Sequence, residues 1–185
     1  MSSIAFDTSL AVTTACVVRD DGASFSTPAP SPQRLLEPAA HSQELLPELD
    51  RLISESGTGW EDVTSIAIGV GPGTFTGLRI GVATARALGQ SLGIGLKPAS
   101  SLEALALGVA NGGGVTRERP LLSVIDARRG QVFAALYRVS DPLAPIWEPI
   151  VLDPDALLER IRQLKISPVC VGDWALESRD YLEGV

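Results

Sequence analysis

The sequence predicts an α/β protein built from two related halves. Two apolar runs, at residues 4–7 and 121–126, each end in an aspartate and are each followed by a turn and a returning strand. A third strand, a helix with an apolar stripe and a further strand then follow in both halves. Because the same order occurs twice in one chain, we expect a duplicated α/β architecture.

Each element of the first half is predicted from its own local pattern. Strands are expected at residues 4–6, 15–18, around Phe25, 65–70 and 95–99. Helices are expected at about 42–57, 77–93 and 102–110. The first of these helices carries an apolar stripe of Leu45, Leu46, Leu49, Leu52 and Ile53. The proline-rich stretch 27–38 predicts an irregular connection.

The second half begins after a Gly-rich break at residues 111–114. Its strands are expected at residues 121–126, 131–137, 150–152 and 169–171. Asp153 and Pro154 are typical of a helix start and predict a helix that carries Leu157, Leu158, Ile161 and Leu164. We therefore divide the chain into an N-terminal lobe of residues 1–110 and a C-terminal lobe of residues 111–185.

Composition and charge exclude several classes of protein. A net charge of −7 argues against a chain that grips a nucleic-acid backbone by itself. Cys16 and Cys170 lie in apolar runs, which favours small core residues in a reducing compartment. The first residues lack a signal-peptide pattern, and no apolar run approaches the length of a membrane span. The expectation is a cytoplasmic protein with no membrane partner.

Residues 69–93 form the stretch around which the first half is organised. A glycine turn at residues 71–73 follows a strand and precedes a helix in which small residues recur every fourth position. That row consists of Gly77, Gly81, Ala85, Gly89 and Gly93. Interior glycines cost roughly 1 kcal/mol each relative to alanine, so the smooth face must serve a close approach. Packing against the domain's own sheet and a helix–helix interface both remain open.

Four motifs of this sequence resemble the TsaB (YeaZ) family. They are HSQELLP at 41–47, GVGPGTFTGLRIGVATARALG at 69–89, SSLEALA at 100–106 and IDARRGQVF at 125–133. The resemblance covers roughly residues 4–137. It implies the actin-like ATPase fold (the sugar kinase/Hsp70 or ASKHA fold), in which two duplicated lobes flank a cleft. Family members usually continue beyond the point that matches Val185, so the second lobe is expected to be truncated or unusually short.

The resemblance also implies a function in the synthesis of threonylcarbamoyladenosine in tRNA. It implies a noncatalytic scaffold or activator that binds a TsaD-like catalytic subunit, with a TsaE-like ATPase in the complex. The chain alone is expected to form a homodimer and to meet tRNA only through the complex. Two rival functions are an independent ATPase or small-molecule kinase of the same fold, and a metal-dependent peptidase.

The sequence predicts no catalytic activity for the chain itself. TsaD-like enzymes hold a metal with a His-x-x-x-His pair, and the matching positions here are Ser101 and Leu105, so no catalytic or metal-binding residue is predicted. The only histidine, His41, is interpreted as a helix-flanking residue, with a switch or ligand role as the alternative. The glycine turn fits neither phosphate-loop template, because no Lys-Ser/Thr follows it and Thr74 stands at the third glycine position of G-x-G-x-x-G.

Asp7 and Asp126 are the candidates for cofactor binding, since each closes the first strand of its half. In actin-like ATPases such residues face the nucleotide cleft, but the turns that follow them here are poor in glycine. A vestigial or structural role is therefore weighed against a working nucleotide site. No cofactor is expected for the chain alone, and ATP or ADP is expected only at the level of the complex.

A partner interface is predicted on the first two long helices. Its candidate residues are Leu45, Leu49, Leu52, Gly77, Arg79, Gly81, Ala85, Arg86 and Gly89. The occupant of this interface is expected to be a second copy of the chain or the TsaD-like subunit.

Overall fold

The structure is a computed structural model, and it describes residues 1–112 and 118–182. The chain divides into two compact units, Met1–Ala99 and Ser100–Val185. This division differs from the predicted lobe boundary by one helix, Ser101–Asn111, because that helix packs on strands of the second unit. The predicted break at residues 111–114 lies partly outside the described residues.

The first unit is a mixed five-stranded sheet covered by helices. Its strands are β1 (Ser2–Asp7), β2 (Thr14–Arg19), β3 (Ser24–Ser26), β4 (Val63–Gly69) and β5 (Leu96–Ala99). Its helices are α1 (Pro32–Leu36), α2 (His41–Glu55) and α3 (Phe75–Leu92). The strand order is β3-β2-β1-β4-β5, with antiparallel pairing among the first three strands and parallel pairing from β1 to β4 and from β4 to β5.

The core of the first unit lies between this sheet and the apolar faces of α2 and α3. Alternation along β1 buries Ile4 and Phe6 on one face of the sheet, as a strand period of two requires. On helix α2, the stripe at Leu45, Leu49 and Leu52 packs into the same core, and Leu49 and Leu52 are fully excluded from solvent. The core thus fixes which faces of the two helices remain outside.

The second unit repeats the pattern of the first. Its strands are β6 (Leu121–Arg128), β7 (Gln131–Arg138), β8 (Ala144–Leu152) and β9 (Val169–Val171). Its helices are α4 (Ser101–Asn111), α5 (Pro154–Arg162), α6 (Asp173–Glu177) and α7 (Arg179–Leu182). The strand order β8-β7-β6-β9, antiparallel except for the parallel β6–β9 pair, matches the order β3-β2-β1-β4.

The predicted α/β class and its duplication are confirmed by these two matching sheets. The proline-rich connection contains one element that the sequence reasoning missed, the short helix α1. The Ser31 hydroxyl accepts a hydrogen bond from the Arg34 amide at 3.2 Å and caps this helix, and a proline stands in its first turn. Helices α6 and α7 were likewise not predicted. None of the described helices is both long enough and apolar enough to span a bilayer.

Candidate functional site

The glycine-rich segment that joins β4 to α3 packs against the turn that follows β1. A Cβ atom on Gly69 would overlap the Asp7 carboxyl group, and one on Gly73 would overlap Ser9. A Cβ atom on Gly77 would overlap the carbonyl oxygen of Thr8. These glycines are therefore required because atoms of the turn at residues 7–9 occupy the space where their side chains would lie.

Hydrogen bonds hold the same two segments together. The Thr8 hydroxyl donates to the Gly77 carbonyl oxygen at 2.8 Å, and the Thr74 amide donates to the Ser9 carbonyl oxygen at 2.7 Å. The side chains of Thr8 and Ser9 are fully buried. The turn at residues 7–9 and the start of α3 thus form one rigid unit.

The row of small residues faces the interior of the first unit. Gly81 lies against Thr8 and Ile68, and Gly89 lies against Leu96 and the Ile94 carbonyl oxygen. Seven residues of the predicted interface are buried within their own unit, and these are Leu45, Leu49, Leu52, Gly77, Gly81, Ala85 and Gly89. For these seven the prediction of direct partner contact is corrected, because their surface is consumed by the sheet and by the contact between α2 and α3.

A different face of α3 is exposed and partly apolar. It bears a surface groove lined by Phe75, Leu78, Arg79, Val82, Ala83 and Arg86. Phe75 is 72% exposed, which is unusual for a large aromatic side chain. The Arg79 guanidinium lies 5.1 Å from the centre of the Phe75 ring, within cation–π range. We call these six residues the α3 outer face.

Two of the predicted interface residues, Arg79 and Arg86, belong to the α3 outer face. Both side chains are exposed, so their role as partner contacts stays a prediction. Two further apolar residues are exposed. Val70 lies in the segment before α3, and Leu46 lies on α2. Sequence reasoning missed Phe75, although its spacing from Arg79, Val82 and Arg86 follows the helical period.

Asp7 is built into the turn that it begins. Its carboxylate oxygen Oδ1 accepts a hydrogen bond from the Ser9 amide at 2.6 Å, and the group also fills the space above Gly69. The Ser9 amide hydrogen is thus already donated to Asp7. A phosphate-binding loop needs such amide hydrogens to point at the phosphate oxygens instead. This local geometry favours the structural interpretation of Asp7.

Asp126 is engaged in a comparable way at the end of β6. Its carboxylate accepts a hydrogen bond from the Arg128 amide at 2.8 Å and pairs with the Arg128 guanidinium at 3.0 Å. Asp7 belongs to the first unit and Asp126 to the second, and a nucleotide cleft shared by the two remains a prediction.

Asp173 is a second carboxylate beside Asp126. Its oxygen Oδ1 accepts hydrogen bonds from the amides of Asp126 at 3.1 Å and of Trp174 at 2.7 Å. Burial raises the pKa of Asp173, and the charge of Asp126 adds to that effect. The sequence reasoning did not single out this residue, because an aspartate that follows a short strand has no distinctive local pattern.

The positions that resemble a metal-binding pair hold no imidazole group. Ser101 is buried at the start of α4, and Leu105 has a hydrocarbon side chain. Within residues 1–112 and 118–182, no group of three or more His, Cys, Asp or Glu side chains is placed to hold a metal ion. Burial raises the pKa of both Cys16 and Cys170, which disfavours the thiolate form that a nucleophile needs.

His41 is the residue whose environment differs most from its sequence interpretation. It is 3% exposed and both of its ring nitrogens are hydrogen-bonded, to Thr13 at 2.8 Å and to the Leu10 carbonyl at 2.9 Å. It therefore lies inside the first unit, at the start of α2 and against the loop after β1.

Comparisons with known proteins agree on one family. A family model described as TsaD, tRNA N6-adenosine threonylcarbamoyltransferase, matches residues 37–167. The tRNA threonylcarbamoyladenosine biosynthesis protein TsaB of Escherichia coli (strain K12) is 36% identical over 139 residues, which cover 73% of this chain and 58% of that protein. TsaB of Bacillus subtilis (strain 168) is 35% identical over 64% of this chain and 48% of its own length.

A solved structure titled YeaZ from Pseudomonas aeruginosa matches 96% of this chain and 79% of its own, with a TM-score of 0.76 and 25% identity. The chain spans about half the length of the curated relatives that it matches. The family match extends over more than half of the chain, and the relatives and the structural neighbour carry the TsaB and YeaZ names. The chain therefore belongs to the family of the tRNA N6-adenosine threonylcarbamoyltransferase TsaD, among its TsaB/YeaZ members.

Proposed function

We propose that this chain is a noncatalytic scaffold subunit that supports a TsaD-like catalytic partner in the formation of threonylcarbamoyladenosine in tRNA. The names of the TsaB relatives support the pathway. The noncatalytic role is supported by Leu105 at a position that resembles a metal-ligand position. It is also supported by the turn at residues 7–9, which is filled by the protein's own contacts.

The α3 outer face is the observation that carries this proposal. An exposed phenylalanine beside half-buried Leu78 and Val82 offers apolar area, worth ~25 cal/mol for each Å² removed from water. Aromatic and arginine side chains are enriched among the residues that dominate binding energy. In the complete assembly this face binds the TsaD-like subunit, and in its absence a second copy of the chain occupies the same surface.

The remaining components act at the level of the complex. ATP or ADP is bound by other subunits, including a TsaE-like ATPase, and tRNA is held by the assembly in the cytoplasm. The net charge of −7 supports this division, because RNA binding needs a basic surface.

Co-purification with the TsaD-like subunit of the same organism, followed by mass measurement of the intact complex, tests this proposal. Ala83→Glu places a charge on the α3 outer face without touching the core, since Ala83 is exposed. We expect this change to weaken assembly by roughly tenfold or more, which is about 1.4 kcal/mol.

Ala156→Glu is the matched control, because Ala156 is an exposed alanine on α5 of the second unit. This variant should assemble as the parent chain does. Normal assembly of Ala83→Glu, with a melting temperature equal to that of the control, would contradict the placement of the interface on α3. A parent chain that forms no complex would contradict the proposed function itself.

A further inference from the structure

His41 joins helix α2 to the loop that follows β1. Its Nε2 atom lies 2.9 Å from the Leu10 carbonyl oxygen, and its Nδ1 atom lies 2.8 Å from the Thr13 hydroxyl oxygen. A carbonyl oxygen only accepts hydrogen bonds, so Nε2 carries a proton. In the neutral ring Nδ1 is therefore bare, and it accepts the hydrogen of the Thr13 hydroxyl group.

Thr13 has two acceptors for its single hydroxyl hydrogen. Besides Nδ1 of His41, the carboxylate oxygen Oε2 of Glu44 lies 3.3 Å from the Thr13 hydroxyl oxygen. When His41 is protonated, Nδ1 becomes a donor and the Thr13 hydrogen must turn towards Glu44. Because 3.3 Å is long for a bond between a hydroxyl group and a carboxylate, this turn draws Glu44 and the Thr13 segment together.

The other end of the same loop is attached to α3. Thr8 and Ser9 fill the spaces above Gly77 and Gly73 and are hydrogen-bonded to the start of α3. Residues 8–13 therefore connect the N-terminus of α2 to the N-terminus of α3. The side chains of Thr8, Ser9 and Thr13 are all buried, so this short segment is packed at both of its ends.

We propose that His41 and Thr13 form a protonation-dependent latch that couples the start of α2 to the start of α3. With His41 neutral, the Thr13 hydroxyl group donates to Nδ1 of His41 and the loop keeps the position described above. With His41 protonated, the Thr13 hydroxyl is engaged by Glu44, the loop shifts and the N-terminal turn of α3, which carries Phe75, shifts with it. In its consequence for partner binding, this inference rests on the proposed function of the α3 outer face.

Three charged groups act on the latch from the elements that surround it. Glu44 on α2 and Asp7 at the end of β1 favour the protonated ring, whereas Arg34 on α1 opposes it. Arg34 also holds Glu44 in place at 2.8 Å. Burial is the largest effect and lowers the pKa of His41, so the neutral form prevails at neutral pH and the shift of the loop requires acidification.

The chain has a single histidine, so its ring signals in an NMR spectrum need no assignment by mutation. The experiment is a titration of the isolated full chain from about pH 8 to pH 5, which spans the range of histidine. It follows the His41 ring together with the backbone amides of Thr8, Thr74 and Gly77. We expect the ring to titrate below its ordinary pKa of 6.5 and the three amides to shift with the same midpoint.

Two substitutions at Thr13 separate the latch from simple packing. Thr13→Ser keeps the hydroxyl group and should preserve the shared midpoint. Thr13→Val keeps the branched shape but removes the oxygen that accepts a hydrogen bond from Nδ1 of the protonated ring. Because this charge-assisted bond is stronger than the one donated to the neutral ring, the variant should lower the pKa of His41 further and abolish the shift of the Thr74 and Gly77 amides. Because no partner is present, this outcome is independent of whether the chain binds a TsaD-like subunit.

Amides of α3 that do not move with the His41 ring would overturn the inference. The latch is equally refuted if Thr13→Val titrates as the parent chain does, or if the parent spectrum shows global unfolding before the ring titrates. As a second measurement, the affinity for the TsaD-like subunit should fall through the His41 midpoint in the parent chain and in Thr13→Ser. In Thr13→Val it should not fall through that midpoint.

Discussion

Asp173 lies at the start of α6, where its carboxylate holds two backbone amides. These hydrogen bonds stabilise the charged form, yet burial is the larger effect and raises the pKa of this group. The folded protein therefore binds a proton at Asp173 more tightly than the unfolded chain does. Stability from this group is complete below its ordinary pKa of 3.8 and is lost as the pH rises through the folded value.

Asp173→Asn tests this balance. The asparagine side-chain oxygen accepts the same two amide hydrogen bonds without a charge to bury. We expect the variant to melt at a higher temperature than the parent chain at about pH 7, well above the ordinary range of an aspartate. The difference should shrink as the pH falls, because the parent carboxyl group also becomes neutral. Thermal melts across the pH range check this, and a difference independent of pH would show that burial of charge is not the cause.

At the scale of elements, helices α3 and α4 show that glycine has two opposite effects on a helix. Gly77 in α3 lies against the Thr8 backbone, where no Cβ atom fits. Gly108 in α4 has nothing within 4 Å of the position that a Cβ atom would take. The first glycine permits a contact, whereas the second only lowers helix propensity.

Gly77→Ala and Gly108→Ala form a matched pair of substitutions. We expect Gly77→Ala to lower the free energy of unfolding by about 1–3 kcal/mol, because the Thr8 turn must move away from the helix. Gly108→Ala should raise the stability of α4 by up to ~1 kcal/mol through helix propensity. Chemical denaturation measures both changes. A neutral effect of Gly77→Ala would mean that the turn at residues 7–9 is not held as described.

The helical period identifies the row of small residues in α3 but not what lies against it. Gly77 and Thr8 are 69 residues apart, so no local pattern connects them. The same limit explains why the leucine stripe of α2 looked like an interface, since an apolar face fits a sheet and a partner equally well. Strands and long helices were predictable from periodicity, whereas α1 depends on one cap at Ser31 within a stretch of prolines. The contacts of His41 depend on tertiary structure alone.

At the scale of the whole molecule, the net charge of −7 argues against tight binding of tRNA by the chain alone. Phosphate backbones repel such a surface unless basic side chains are clustered. We expect the isolated chain to bind tRNA more weakly than the ~10⁻⁶–10⁻⁴ M typical of nonspecific binders at physiological salt.

A filter-binding titration of the lone chain, repeated with a TsaD-like subunit, the proposed partner, checks this expectation. Binding that appears only with the partner agrees with the proposal. Tight and salt-sensitive binding by the lone chain would contradict it.

The first residues of the first unit pack against elements of the same chain that are synthesised much later. β1 pairs in parallel with β4, which begins at Val63, and the Thr8 turn is covered by α3, which begins at Phe75. At ~5–20 residues per second, a ribosome needs several seconds to deliver those partners. During that interval the apolar face of the β1–β2 hairpin is open to chaperones and to aggregation. A glycine substitution in α3 should therefore reduce the yield of folded protein in cells more than its effect on equilibrium stability suggests.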